Sequence, residues 1–112
     1  MITDSMEKAA LDPVMVSFKS SLLKQLGINL KEVWLFGSRA RGDFHADSDY
    51  DVIVVAEGQL KQLRAIVSDT NYQILDEYQE LVGSIVYTPE LWERSKRGPL
   101  GMNVKAQGIR IA

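Results

Sequence analysis

The sequence predicts an α/β (α+β) domain in which a small mixed β-sheet is flanked by helices. Two short runs rich in apolar residues, residues 31–36 and 49–56, are bounded by polar turns, a pattern typical of buried strands. Segments with helical spacing of apolar residues alternate with these strands. A length of 112 residues with 46% hydrophobic and 25% charged residues fits one core, so we expect a single domain over residues 12–112.

The first half of the chain supplies one helix and two strands. Residues 1–11 are expected to form a flexible arm. Asp12 is a typical N-cap and Pro13 a typical first helical residue, and apolar residues then recur every four positions until Gly27 ends the helix. The two apolar runs follow as strands. Between them, residues 37–48 are small, polar and rich in turn formers, and they predict a functional loop.

The second half predicts helices around a third strand. A helix is expected over residues 59–75, or two shorter helices, because the polar stretch 68–71 weakens its middle. A strand follows over residues 81–87, with Gly83 marking a bulge or a close backbone approach. Thr88 and Pro89 then begin a helix that extends to about Ser95. Residues 96–101 predict a turn, residues 102–107 a short helix and residues 109–111 an edge strand.

Composition excludes several classes of function. The net charge of −2 argues against a protein that mainly coats nucleic acid. The chain has no cysteine and one histidine, which excludes disulfides, thiol catalysis and His- or Cys-based metal clusters. The sequence shows no secretory signal and no apolar run of membrane-spanning length, so the cytoplasm is the expected location, with no membrane partner.

The chemistry is concentrated between the first two strands. Gly37 and Ser38 follow the first strand, ten residues intervene, and Asp49 and Asp51 begin the second. Alternate residues of a strand face the same side, so the two carboxylates can share one site. Two like charges side by side need compensation, and carboxylate oxygens suit Mg²⁺ or Mn²⁺. Asp49 and Asp51 are therefore the candidate metal-binding and catalytic residues.

Other residues of this segment suit a triphosphate. Gly37 lets a phosphate approach the backbone, and Ser38 offers a hydroxyl and a backbone N–H. Arg39 and Arg41 could add positive charge. Such a site fits attack of a hydroxyl on the α-phosphate of a nucleoside triphosphate, with pyrophosphate leaving.

The segment 37–55 resembles the active-site motif of the minimal nucleotidyltransferase (MNT) domain, a member of the DNA polymerase β-like superfamily. Its pattern is Gly-Ser, ten residues, Asp-x-Asp, and the spacing matches completely. The resemblance implies a polymerase β-like nucleotidyltransferase fold, with Gly37 and Ser38 as the phosphate-binding turn and Asp49 and Asp51 as the catalytic metal-binding pair. It also implies ATP as substrate, Mg²⁺ or Mn²⁺ as cofactor and AMP as the transferred group.

The family also suggests a partner. Small members often accompany a helical HEPN-type protein and act as the antitoxin that adenylylates this toxin. Many superfamily members use a third carboxylate on a neighbouring strand, where this chain has Gly83 and Ser84. Glu77 or Glu80 could substitute, the site could work with two carboxylates, or catalysis could be weak or lost. The alternatives are accordingly an inactive module that binds a partner by contact, and a small-molecule nucleotidyltransferase.

Overall fold

The computed structural model describes residues 12–112, and the predicted arm, residues 1–11, lies outside them. Four strands form one mixed sheet in the order β3-β2-β1-β4, with helices on both faces, which confirms the predicted fold class. No helix in the described part combines the length and apolarity needed to cross a membrane. The elements in chain order are α1 (Pro13–Leu26), a 3₁₀ turn (Gly27–Asn29), β1 (Leu30–Phe36), α2 (Ser38–Arg41), β2 (Tyr50–Ala56), α3 (Leu60–Tyr78), β3 (Val82–Tyr87), α4 (Pro89–Ser95), α5 (Pro99–Gln107) and β4 (Ile109–Arg110).

Strand β2 is central and contributes to a core on each face of the sheet. It pairs antiparallel with β1 and parallel with β3. Val52 and Val54 face a core shared with α1 and α3, whereas Ile53 and Val55 face a second core with α4 and α5. Burial on both faces explains why this strand reads as a nearly continuous β-branched run. Complete burial of side chains such as Phe18 and Leu22 contributes about 1.5–3 kcal/mol each to folding.

The predicted helix caps are present. The Asp12 carboxylate accepts hydrogen bonds from the backbone N–H groups of Val14 (2.9 Å) and Met15 (3.3 Å) at the start of α1. The Thr88 hydroxyl accepts one from the N–H of Leu91 at 3.4 Å and caps α4. These side chains satisfy donors that a helix N-terminus leaves unpaired.

Helix α3 is longer than predicted and is not divided. The polar stretch 68–71 lies within it because Thr70, fully buried, bonds back to the Ile66 carbonyl (2.9 Å) and accepts from Gln25 of α1 (2.9 Å). Asn71 exchanges hydrogen bonds with Ser84 of β3. Tertiary contacts therefore compensate for the low helix propensity of these residues.

Two further predictions require correction. The last helix begins at Pro99 and not at Met102, because Pro99 takes the first helical position and Gly101 lies buried where α5 meets the end of α4. Strand β3 contains no bulge at Gly83, since its register with β2 is continuous. The other prediction for Gly83, a close approach to its backbone, agrees with its position beside the Asp51 side chain.

Candidate functional site

Three neighbouring strands bring the candidate residues to one end of the sheet. Asp51 of β2 lies opposite Phe36 of β1 and opposite Gly83 of β3. Gly37 and Ser38 follow Phe36 directly, so the chain turns away from the sheet beside the Asp51 side chain. Asp51 shares its face with Ile53, and this face is covered by α4 and α5 further along the strand.

Gly37 and Asp51 lie close together in the site. Gly37 has φ 74° and ψ −158°, a combination essentially restricted to glycine. A Cβ atom on Gly37 would lie 2.5 Å from Oδ2 of Asp51. The carboxylate therefore packs directly on the backbone of the turn.

The two acidic residues differ in position. Asp51 is half-buried within β2, whereas Asp49 is exposed and lies one residue before the strand begins at Tyr50, so the prediction that it is the first strand residue is wrong. The pKa of Asp51 is raised above its ordinary value, first by burial and then by the charge of Asp49, while Arg41 opposes the rise. An uncompensated pair of carboxylates is a setting in which a cation is favoured.

The donor set for a metal consists of two carboxylates. Among residues 12–112 no group of three or more acidic, histidine or cysteine side chains is close enough to hold a metal ion together. Of Gly83 and Ser84, where the resemblance would place a third carboxylate, Gly83 lies opposite Asp51, and its Cβ would lie 3.7 Å from Oδ1 of Asp51. Glu80 lies 3.5 Å from Arg39 as an ion pair, and Glu77 is exposed near the end of α3. Two oxygen donors still fit Mg²⁺, which is commonly held by one or two carboxylates together with substrate phosphates.

The two arginines have different surroundings. Arg41 is exposed, forms an ion pair with Asp43 at 3.4 Å and acts electrostatically on Asp51. The side chain of Arg39 is only 9% exposed and donates hydrogen bonds to the carbonyls of Ala46 and Ser48. The triphosphate contacts of Arg39 and Arg41 stay predictions, and Nε and Nη2 of Arg39 are directed toward carbonyl oxygens of the loop.

Tyr50 is a residue of this region that the sequence pattern did not single out. It lies between the two acids but points to the opposite face, where it is buried against the α1 core. Its hydroxyl donates to Oδ2 of Asp12 at 2.8 Å, and burial together with this hydrogen bond raises the pKa of the phenol. Alternation along the strand was the available signal, because a large aromatic residue between two acids of the site points to the other face of the sheet, toward the core.

Comparison with known proteins agrees with this geometry. The family described as "Nucleotidyltransferase domain" matches residues 17–104. The chain belongs to this nucleotidyltransferase family. Two proteins of Methanocaldococcus jannaschii, both named "putative protein adenylyltransferase", are similar to it. One is 29% identical over 81% of this chain and 87% of its own length, and the other 33% identical over 66% and 76%.

Solved nucleotidyltransferase structures share the fold. A crystal structure of a protein from Sulfolobus solfataricus described as a "putative nucleotidyltransferase" superposes with a TM-score of 0.56 at 25% identity, covering 82% of this chain and 78% of that one. A toxin–antitoxin structure with AMP-PNP gives a TM-score of 0.58 at 20% identity, covering 85% and 70%. A mutant of the MntA–HpeT toxin–antitoxin also gives 0.58 at 20% identity, over 84% and 69%. The family match over residues 17–104 confirms the enzyme class predicted from the Gly-Ser and Asp-x-Asp spacing.

Proposed function

We propose that this nucleotidyltransferase transfers AMP from ATP to a hydroxyl of a partner protein, and that it serves in the cytoplasm as the antitoxin of a pair with a HEPN-type toxin. The observation that carries the proposal is the Asp51 carboxylate packed on the Gly37 turn. The names of the two Methanocaldococcus jannaschii relatives support protein as the acceptor and AMP as the group. The toxin–antitoxin structures support the pairing only through the shared fold.

The residues divide into a phosphate side and a metal side. Gly37 and Ser38 would receive the triphosphate, with Arg41 adding positive charge from the exposed loop. Asp49 and Asp51 would hold Mg²⁺ or Mn²⁺, which when bound supplies charge neutralisation for the triphosphate and the acceptor oxygen. The acceptor oxygen forms a bond to the α-phosphorus, the bond to the bridging oxygen breaks, and pyrophosphate leaves. The acceptor proton passes to a carboxylate or to water.

A labelling experiment tests the transfer. The protein is mixed with Mg²⁺, the purified product of the neighbouring gene and ATP labelled either at the α- or at the γ-phosphate. Transfer of AMP labels the partner from α-labelled ATP alone, whereas a kinase would label it from γ-labelled ATP. Asp51→Asn should abolish the label, and Asp69→Asn, the same chemical change at an exposed position of α3, should retain it. Equal labelling by wild type and Asp51→Asn would contradict the proposal.

A second candidate function is neutralisation of a partner by contact alone. Gly83 in the position opposite Asp51 favours it, because a site with two carboxylates has fewer metal ligands than the three-carboxylate sites of many superfamily members. Calorimetry with AMP-PNP and Mg²⁺ distinguishes the two functions. Binding that Asp51→Asn removes supports the enzyme, whereas absence of nucleotide binding, with the partner still inhibited by Asp51→Asn, supports the contact module.

A further inference from the structure

The guanidinium group of Arg39 is enclosed by the loop that leads to Asp49. Its Nε and Nη2 atoms donate to the Ser48 carbonyl oxygen at 3.2 and 2.9 Å, and Nη2 also donates to the Ala46 carbonyl at 3.3 Å. The carbon Cζ lies 4.4 Å from the ring centre of Phe44 and 4.2 Å from that of Tyr50. The side chain thus contacts both the loop and the first residue of β2.

This combination of contacts depends on the shape of arginine. A planar guanidinium can lie between two aromatic rings while its edge donates to carbonyl oxygens in the same plane, whereas a lysine ammonium cannot do both. The charge is also compensated, since Oε2 of Glu80 lies 3.5 Å from Nη2 and the Glu80 side chain is only 28% exposed. A triphosphate would have to compete with these partners for the same group.

Asp49 lies in sequence between Ser48 and Tyr50, and Arg39 contacts both of these residues. The Ser48 carbonyl that accepts the hydrogen bonds belongs to the peptide that joins Ser48 to Asp49, and the stacked ring belongs to the next residue, Tyr50. Asp49 itself is exposed and precedes the strand, so it gains no fixed position from the pairing of β2 with its neighbours. Arg39 therefore acts on the chain immediately before and immediately after the acid.

We propose that Arg39 is a positioning residue that fixes the segment 43–49, and with it the Asp49 carboxylate, and that it is not a ligand of the triphosphate. Arg39 also lies in α2, directly after Gly37 and Ser38, so one side chain joins the phosphate side of the site to the metal side. The statement about Asp49 as a metal ligand rests on the proposed function, whereas the statement about the order of the segment does not.

Two variants of Arg39 and one of Arg41 test this role. Arg39→Lys retains the charge but not the planar guanidinium group, and Arg39→Ala removes both. Arg41→Ala is the matched control at an exposed arginine of the same helix. Amide hydrogen exchange is measured on the protein free of metal and nucleotide. Binding of Mn²⁺ is followed by electron paramagnetic resonance, and binding of AMP-PNP by calorimetry.

Both Arg39 variants should exchange the amides of His45 and Ser48, which are hydrogen bonded within the segment 43–49, at least about tenfold faster than wild type. Loss of a hydrogen bond from a charged donor changes a local opening equilibrium by about that factor or more. Both should also weaken Mn²⁺ binding severalfold, whereas Arg41→Ala, which loses only an exposed ion pair with Asp43, should leave exchange of residues 44–49 at the wild-type rate. Exchange of the β1 and β2 amides reports whether each variant remains folded. A wild-type exchange rate in Arg39→Lys, or loss of AMP-PNP binding in Arg39→Ala with exchange and Mn²⁺ binding unchanged, would overturn the proposal.

Two additional variants keep the outcome decisive. If Arg39→Ala does not fold, Phe44→Ala removes one ring of the stack at a side chain that is 45% exposed, and it should also accelerate exchange in residues 43–49. Unchanged exchange in both Phe44→Ala and Arg39→Lys would overturn the proposal. Asp49→Asn isolates the proposed function, because unchanged Mn²⁺ affinity in that variant would contradict the metal role of Asp49 without affecting the exchange comparison.

Discussion

Replacement of Gly37 by alanine should destabilise the fold and reduce the activity of the site. The loss of unfolding free energy has two parts, one from the backbone conformation and one from the Asp51 side chain. The backbone conformation of Gly37, with φ 74° and ψ −158°, costs other residues about 1–3 kcal/mol. The new Cβ would lie 2.5 Å from Oδ2 and 3.3 Å from Cγ of Asp51, so the carboxylate must move by roughly 1 Å. Forcing that side chain from its rotamer costs about 0.5–1.5 kcal/mol.

The total is about 1.5–4.5 kcal/mol, which for a domain of this size lowers Tm by roughly 6–19 °C. Urea unfolding followed by circular dichroism measures the loss of unfolding free energy. Transfer of AMP should fall by about 100-fold or more, because a displacement of this size at a reacting group has that effect. Labelling with α-labelled ATP, as above, measures the transfer.

Two controls separate the backbone cost from the contact with the carboxylate. Gly42 also has positive φ, 89°, but an added Cβ there meets no atom within 4 Å, so Gly42→Ala should cost only about 1 kcal/mol. In an Asp51→Ala background Oδ2 and Cγ are absent, and the nearest remaining atom of residue 51 is Cβ at 3.5 Å. Gly37→Ala should then cost about 1 kcal/mol less than in wild type. An equal cost in both backgrounds would refute the proposed collision with the carboxylate.

Three other substitutions have defined expectations. Asp51→Asn should raise Tm in EDTA at neutral pH, because the raised pKa means that the charged carboxylate destabilises the fold; the difference from wild type should vanish below pH 3.8 and grow as the pH rises. Gly83→Asp should bind Mn²⁺ more tightly than wild type in paramagnetic resonance titrations, since its Cβ has an ordinary 3.7 Å contact with Asp51; unchanged affinity would show that this position does not reach the metal. Tyr50→Phe should lower the free energy of unfolding by about 1–2 kcal/mol through loss of the hydrogen bond to Asp12, measured in urea, and an unchanged value would refute that contribution.

The local sequence was sufficient to predict most elements of this fold. Caps, glycine ends and β-branched runs are signals that act over a few residues, and they located α1, β1, β2 and α4 to within one or two residues. The choice between one helix and two over residues 59–75 could not be made in this way, since the continuity of α3 depends on Thr70 bonding across to Gln25 of another helix. The start of α5 was missed for a similar reason, because Gly101 is a helix residue there only through close packing on α4.

In the site, too, some features could be predicted from the local sequence and others depend on tertiary contacts. The spacing from Gly37 to Asp51 predicted two residues that the structure places in contact. Gly37 directly follows β1, and Asp51 lies near the start of the adjacent strand β2. The surroundings of Arg39 depend on Glu80, some forty residues later, and on the path of a loop that no periodic pattern describes. Charge and proximity in sequence therefore suggested a phosphate contact, whereas the folded chain surrounds this arginine with carbonyl oxygens and aromatic rings.

In the tripeptide Asp49-Tyr50-Asp51 the central residue contributes to stability, whereas the two acids are the candidate catalytic residues. Saturation mutagenesis should therefore give different results at adjacent positions. In a selection for protease resistance, substitutions of the central tyrosine should be depleted, while uncharged substitutions of the outer residues should persist or be enriched. In a selection for the proposed antitoxin function, the outer residues should become the intolerant ones. Neither survey alone would identify all three positions as important, so the two should be performed on the same library.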